Sequence, residues 1–245
     1  MKKDIHLDMP SWMADILDQK NGEEYFKEHR SNLDGGGIYL KYFFLNEIKK
    51  SNRSFSKCFE WCAGLGEIGL KLLQEGVIEN LVLADINKVA IEKSIEITKK
   101  MGLSNKVKHY ISDGLNDIPN TEKFDLVVGN PPNYFNIQKD HSLGKMFYAD
   151  LRPLDKGWKV HKNFYDNISR YLTKDSLILI EEVELFKKEV FIVDRDIPYD
   201  IRPEEPILTF SNMIKENNLK ILDIKLIHNF DGIECYFLKI CEHKV

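Results

Sequence analysis

Between residues 57 and 183, short apolar runs and amphipathic segments take turns, and this alternation leaves few folds open to the chain. KCFEWC (57–62), LVLAD (81–85), VKHYIS (107–112), FDLVVG (124–129) and SLILIEEV (176–183) read as strands. Between them EIGLKLLQEG (67–76), KVAIEKSIEITKKMG (88–102) and HKNFYDNISRYL (161–172) read as helices. Strands that alternate with helices at this spacing predict a mostly parallel α/β sheet, because a parallel pair needs a crossover long enough to return to the same edge. The rhythm changes at the end. KILDIKLIHNFDGIECYFLKI (220–240) is two long apolar runs around Asn229-Phe230-Asp231-Gly232, the signal of an antiparallel hairpin.

The first fifty residues stand outside the alternation. Ser11 is placed to cap WMADILDQK, GEEYFKEHR is helix-compatible, and Gly35-Gly36-Gly37 interrupts the chain before the amphipathic IYLKYFFLNEIKK. Residues 1–50 are expected as an N-terminal helical extension that covers the substrate, and 51–245 as the catalytic domain. The N-terminus lacks the apolar centre of a signal peptide, and no apolar run is long enough for a bilayer. The four cysteines, Cys58, Cys62, Cys235 and Cys241, have no paired zinc spacing, so reduced thiols in a cytoplasmic protein and no metal are expected. A net charge of −4 with no sustained basic stripe favours a small molecule, peptide or protein as partner over nucleic acid.

Four motifs carry chemistry. Glu60-Trp61-Cys62-Ala63-Gly64-Leu65-Gly66-Glu67-Ile68-Gly69 runs from strand into helix, and Gly64 and Gly66 let a ligand approach the backbone at a helix N-terminus. Gly64-x-Gly66-x-x-Gly69 also satisfies the dinucleotide fingerprint, which keeps an NAD(P)-dependent oxidoreductase as an alternative. Asp85 ends LVLAD and either receives the hydroxyls of a ribose or caps the next helix, a role Asn87 fills equally well. Asp113, in Ser112-Asp113-Gly114, either accepts from an exocyclic amine or makes an ordinary turn. Last, FDLVVG ends in Asn130-Pro131-Pro132-Asn133-Tyr134-Phe135. Two prolines remove two N–H donors and push Asn130 toward an extended conformation, which suits a turn built to hold one amide side chain still.

In this order the motifs resemble those of the class I S-adenosylmethionine-dependent methyltransferases. The fourth is similar to the Asn-Pro-Pro-aromatic motif of N-methyltransferases, among them release-factor glutamine and adenine-N6 methyltransferases. The resemblance covers about residues 55–135. It implies a Rossmann-like methyltransferase fold of seven strands, with the terminal hairpin antiparallel. It implies that Glu60, Cys62, Gly64 and Gly66 surround the methionine part of S-adenosylmethionine, that Asp85 and Ile86 meet the ribose side, and that Asp113 and Gly114 meet the adenine. Asn130 and the Pro131 carbonyl would accept from the substrate nitrogen beside Tyr134. The sequence departs from the pattern twice: Cys62 stands for the first glycine, and Asn133 for the aromatic that stacks a flipped base. The second departure turns the expected substrate away from nucleobases; a nucleic-acid methyltransferase and a non-catalytic cofactor-binding scaffold remain the alternatives.

The remaining expectations are local. The segment from Asn130 to Lys159 has no period and is read as a substrate-facing cover. His161, after Trp158, is a candidate acceptor for the proton released on methylation. Glu181 and Glu182 are read as a solvated strand end, and DRDIPYDIRPEEP (194–206) as a solvent-exposed connection. Removing the Asp85 carboxylate is expected to weaken cofactor binding and spare the fold.

Overall fold

A computed structural model of the chain describes residues 37–136, 154–190, 200–230 and 233–243. The expected helices at 12–20 and 22–30, and most of the segment read as a substrate-facing cover, lie outside the described residues.

Five parallel strands supply most of the sheet: β1 (Phe55–Trp61), β2 (Ile78–Asp85), β3 (Val107–Ile111), β4 (Phe124–Gly129) and β5 (Leu172–Val183). The short strands β6 (Glu189–Val190) and β7 (Asp200–Ile201) pair with each other in a separate ribbon. β8 (Leu219–Phe230) and β9 (Ile233–Glu242) close the main sheet, whose order is β3-β2-β1-β4-β5-β9-β8. β9 runs antiparallel to both β5 and β8. Its pairing with β8 reaches Phe230↔Ile233, the antiparallel pair expected from the sequence, while Asp231-Gly232 lie outside the described residues.

Helices cover both faces: α1 (Gly37–Lys50), α2 (Glu67–Gln74), α3 (Lys88–Lys100), α4 (Lys159–Ile168) and α5 (Pro206–Glu216). Side chains alternate along each strand, and the alternation sorts them into two cores. Phe59, Trp61, Val127, Ile178 and Ile180 pack with Phe164, Tyr165 and Ile168 of α4 and with Ile207, Phe210 and Ile214 of α5. Cys58, Leu126, Val128, Leu177 and Leu179 pack on the other face with Phe44, Leu45 and Ile48 of α1 and with α2. Burial on both faces is why the central strands read as continuous apolar runs. The last turns of the N-terminal fifty residues therefore belong to this second core: Phe44 meets Phe237 of β9 edge-on at 4.7 Å. Helix α5 is an addition to the sequence reading. Its signals are Pro206 in the first turn and apolar residues at Ile207, Phe210 and Ile214.

The strand order reverses between β1 and β4, and the C-terminal ends of β2, β1, β4 and β5 lie side by side there. In open α/β sheets ligands bind in that crevice.

Candidate active site

At the end of β1 the backbone enters the left-handed region three times, at Cys62 (φ 53°), Gly64 (φ 53°) and Gly66 (φ 80°). Cys62 adopts what a glycine would adopt without strain, at a cost of about 1–3 kcal/mol. Its thiol is pushed well up by burial, with Asp85, Asp155, Glu182 and Asp113 adding to the effect. At Gly66 a Cβ would meet Leu83 Cδ1 at 2.5 Å, and at Gly69 it would meet Leu81 Cδ1 at 2.4 Å and Glu60 Oε2 at 2.7 Å. The third glycine thus lets α2 lie against β1 and β2. Glu60 points into that junction: its Oε2 accepts from the Gly69 N–H at 2.6 Å. Burial raises Glu60 to about 8 against the lowering by the Gly69 and Ile68 N–H groups. Glu60 therefore anchors the start of α2.

Asp85 ends β2 and grips two loops. Oδ2 accepts from the Gly64 N–H at 2.7 Å and Oδ1 from the Asn87 N–H at 2.8 Å. The helix cap is Asn87, whose Oδ1 accepts from Val89 and Ala90. Asp85 is thus no cap, but neither is it free of the fold: removing it would orphan two backbone donors. Each carboxylate oxygen keeps a lone pair for a further donor. Ile86 beside it is 69% exposed, and Asp113 at the end of β3 is exposed as well. Gly114 (φ 60°) packs so closely that a Cβ would lie 2.4 Å from Asn163 Oδ1.

The end of β4 is held from outside its own sequence. Val128 pairs with Leu179 and Gly129 with Ile180, so β5 flanks the end of β4 just before Asn130. Asn130 and Pro132 are half-buried and Pro131 is buried. Asn133 donates from Nδ2 to the Pro131 carbonyl at 3.0 Å, and its Oδ1 accepts from the Val183 N–H at 3.3 Å. The Tyr134 carbonyl accepts from the Asp155 N–H at 2.8 Å, and the Phe135 ring tilts onto Trp158 at 5.6 Å. Burial raises the Tyr134 phenol, with the Asp200 carboxylate next in effect.

Two residues absent from the sequence-based candidates clamp this loop. Asp200 is 0% and Arg202 3% exposed, which corrects the solvent-exposed reading at these two positions. Asp200 accepts from the Phe135 and Asn136 N–H groups at 3.2 and 3.1 Å. Arg202 donates from Nε to Asp200 at 3.1 Å, from Nη2 to the Asn133 carbonyl at 3.0 Å and from Nη1 to the Glu184 carbonyl at 2.9 Å. Residues 191–199 lie outside the described residues. Alternating charge in a proline-rich stretch looks the same whether it is solvated or folded back as an ion pair, so nothing local marks the clamp.

Glu181 and Glu182 are both buried, contrary to the reading of a solvated strand end. Burial, then Glu182, raises Glu181 to about 8, while hydrogen bonds from Cys235 and Asn133 lower it. His161 is wholly buried between two carboxylates: Nδ1 lies 2.6 Å from Asp155 Oδ2 and Nε2 3.0 Å from Glu182 Oε1. Phe210 stacks on its ring at 4.4 Å, and Trp61 and Trp158 meet it edge-on. Burial pulls the imidazole down, but Glu182 and Asp155 outweigh it and raise His161 to about 9. Both ring nitrogens of His161 thus lie against carboxylates, which ties the start of α4 to the end of β5.

The sequence matches the family model of the methyltransferase small domain over residues 33–157, slightly more than half of the chain. It is 29% identical over 124 residues to the ribosomal protein uL3 glutamine methyltransferase of Francisella tularensis, across 49% of this chain and 39% of that one. It is 33% identical over 107 residues to the ribosomal RNA small subunit methyltransferase C of Actinobacillus pleuropneumoniae, across 44% and 30%. The matches thus span well under half the length of these relatives. The fold is shared with ribosomal protein L11 methylase from Lactobacillus delbrueckii, with a TM-score of 0.56, 13% identity and coverage of 86% and 83%. It is shared equally with an S-adenosylmethionine-dependent methyltransferase from Clostridium acetobutylicum, with a TM-score of 0.56, 13% identity and coverage of 90% and 96%. The motif order, the seven-stranded topology and the matched region agree, and the chain belongs to the methyltransferase small domain family.

Proposed function

We propose that the protein transfers the methyl group of S-adenosylmethionine to a nitrogen of a small molecule, peptide or protein, with Asn130 as the residue that orients the acceptor. The observation that carries the reading is the alignment of Gly64, Asp85, Asp113 and Asn130 at the ends of β1, β2, β3 and β4, around the reversal of strand order. The donor set suits the cofactor. Asp85 has lone pairs for a ribose diol, the exposed Ile86 offers an apolar surface to a base, and Asp113 takes an exocyclic amine. S-adenosylmethionine brings the methyl group and its leaving group, so the chain's task is binding and alignment.

A planar amide or amino nitrogen is a poor nucleophile because its lone pair is delocalised. The Asn130 side-chain oxygen and the Pro131 carbonyl would accept its two N–H groups, draw electron density back to nitrogen and turn the lone pair toward the methyl group. The prolines hold both acceptors in place before substrate arrives. A second reading, methylation of a nucleic-acid nitrogen, is favoured by the similarity to ribosomal RNA small subunit methyltransferase C. A cofactor-binding scaffold would bind and never turn over.

Labelled-methyl transfer into fractionated extract, scored as protein, RNA, DNA or small molecule, separates these readings. Once an acceptor fraction is found, Asn130→Ala is expected to lower turnover on the order of a hundredfold or more and to leave S-adenosylhomocysteine binding unchanged. Asn130→Asp, which keeps an acceptor, is expected to retain part of the activity. Near-parental turnover in the alanine variant would remove Asn130 from the mechanism.

A further inference from the structure

The sheet ends in a long apolar edge. β8 is the last strand in the order, and among the described residues it pairs only with β9. Its 12 residues contain no proline. A strand in that place presents outward N–H and C=O groups that can template a further strand. Two leucines stand exposed on it, Leu222 and Leu226, each at 51%. Between them Asp223 is exposed and Lys225 half-buried. Lys225 reaches back to Glu47 of α1 at 2.5 Å, while Asp223 makes no hydrogen bond among the described residues. One surface recess borders Leu222, with Lys220 and Lys239, and a second borders Leu226, with Phe43 and Ile227.

The residues along this edge are arranged symmetrically. Outward from Ile224 come Asp223 and Lys225, then Leu222 and Leu226, then Ile221 and Ile227. Laid antiparallel on a second copy with Ile224 at the twofold axis, Asp223 faces the partner's Lys225, Leu222 lies beside the partner's Leu226, and Ile221 beside the partner's Ile227. Neighbouring registers fail. Centred on Asp223 or on Lys225, they set like charges directly opposite, which is destabilising. Centred between residues, they set both charges against apolar side chains. Charges that blunt the edge toward other strands therefore admit this partner in one register. β8 bulges against β9 at Leu222 and Ile227, which confines the regular ladder to the residues between them.

We propose that β8 is the interface of a twofold-symmetric dimer, in which two copies of this chain pair antiparallel about Ile224 and join their sheets edge to edge. β9 is antiparallel to both β5 and β8, so β8 runs in the direction of β5. The parallel strands of the two copies then run in opposite directions, and their crevices open at opposite ends of the joined sheet. Pairing leaves each crevice accessible, and the dimer stands or falls independently of methyl transfer.

Sedimentation equilibrium of the full chain over a concentration series is expected to show a monomer and dimer in exchange. Hydrogen exchange of the same protein, which needs no variant, should slow at residues 221–227 as the dimer forms. Asp223→Lys brings like charges together at both symmetric pairs and is expected to raise the dissociation constant on the order of tenfold or more. Lys225→Glu, made together with Glu47→Gln so that no repulsion arises within the chain, is expected to do the same. Mixed in equal amounts, the two variant chains set opposite charges across both pairs and should associate with near-parental affinity. A parent that stays monomeric at every concentration overturns the proposal, as do open-ended assemblies in place of a dimer. It is equally overturned by exchange that slows only outside β8, by a dimer indifferent to Asp223→Lys, or by a mixture of the two variants that fails to associate.

Discussion

The two halves of the crevice are built differently. On the cofactor side, at β1, β2 and β3, each candidate residue sits within a few positions of its strand end, and its contacts are short in sequence or run to the adjacent strand. Glu60 reaches nine residues to Gly69, and Asp85 reaches Asn87 and the neighbouring Gly64 turn. On the substrate side, at β4 and β5, the same few residues are tied by partners fifty or more positions away. Asn133 is held by Val183 and Arg202, and Phe135 by Asp200. A half assembled locally can be read from a motif. A half assembled from distant parts can vary its partners, and with them its substrate, while the cofactor half stays the same.

The largest break in that comparison is expected at Arg202. Arg202→Ala removes the partner of a buried Asp200 and two ties, to the carbonyls of Asn133 and Glu184. Leaving a buried charge unpaired costs about 3–5 kcal/mol. Chemical denaturation should register that loss, and S-adenosylhomocysteine affinity should stay parental for the molecules that fold. Equal stability in the variant would mean that the clamp carries little of the substrate half.

Asp85→Ala tests the other half and is expected to touch both properties. Each backbone donor it orphans costs about 1–3 kcal/mol when buried, and the ribose loses a charged acceptor. Calorimetry should show much weaker S-adenosylhomocysteine binding together with a lower melting temperature. Loss of stability with full affinity would confine Asp85 to the loops. Gly69→Ala sharpens the point within the cofactor half. Its Cβ would press on Leu81 and Glu60, an overpacking worth about 1–3 kcal/mol, and the melting temperature should fall without any change in which acceptor fraction is labelled.

The remaining effect is a slope in pH. His161 is raised to about 9 from an ordinary 6.5, so its contribution to stability is complete below about 6.5 and is lost as the pH rises through about 9. Glu60 and Glu181, each near 8 against 4.5, hold protons in the folded chain that the unfolded chain has released. Their contribution also declines as the pH climbs between those values. All three signs agree, so denaturant midpoints should fall steadily from pH 6 to pH 9. In His161→Gln the slope should be shallower, and a parental slope in that variant would assign the dependence elsewhere.

The parallel sheet, the antiparallel pair of β8 and β9 and the order of motifs were legible because each depends on interactions between near neighbours. Apolar period sets the face of a strand, a glycine permits a turn, and an asparagine caps a helix. The mutual placement of Asn133, Glu181, Asp200, Arg202 and His161 was not legible. Sequence alone reads a charged side chain as solvated, since water is the commonest partner of charge. Tertiary structure brought Arg202 to Asp200 and His161 between Asp155 and Glu182, and only those partners make burial of such groups tolerable. Local sequence determined which residues face the end of the sheet; the distant ion pairs decided how the substrate side is closed around them.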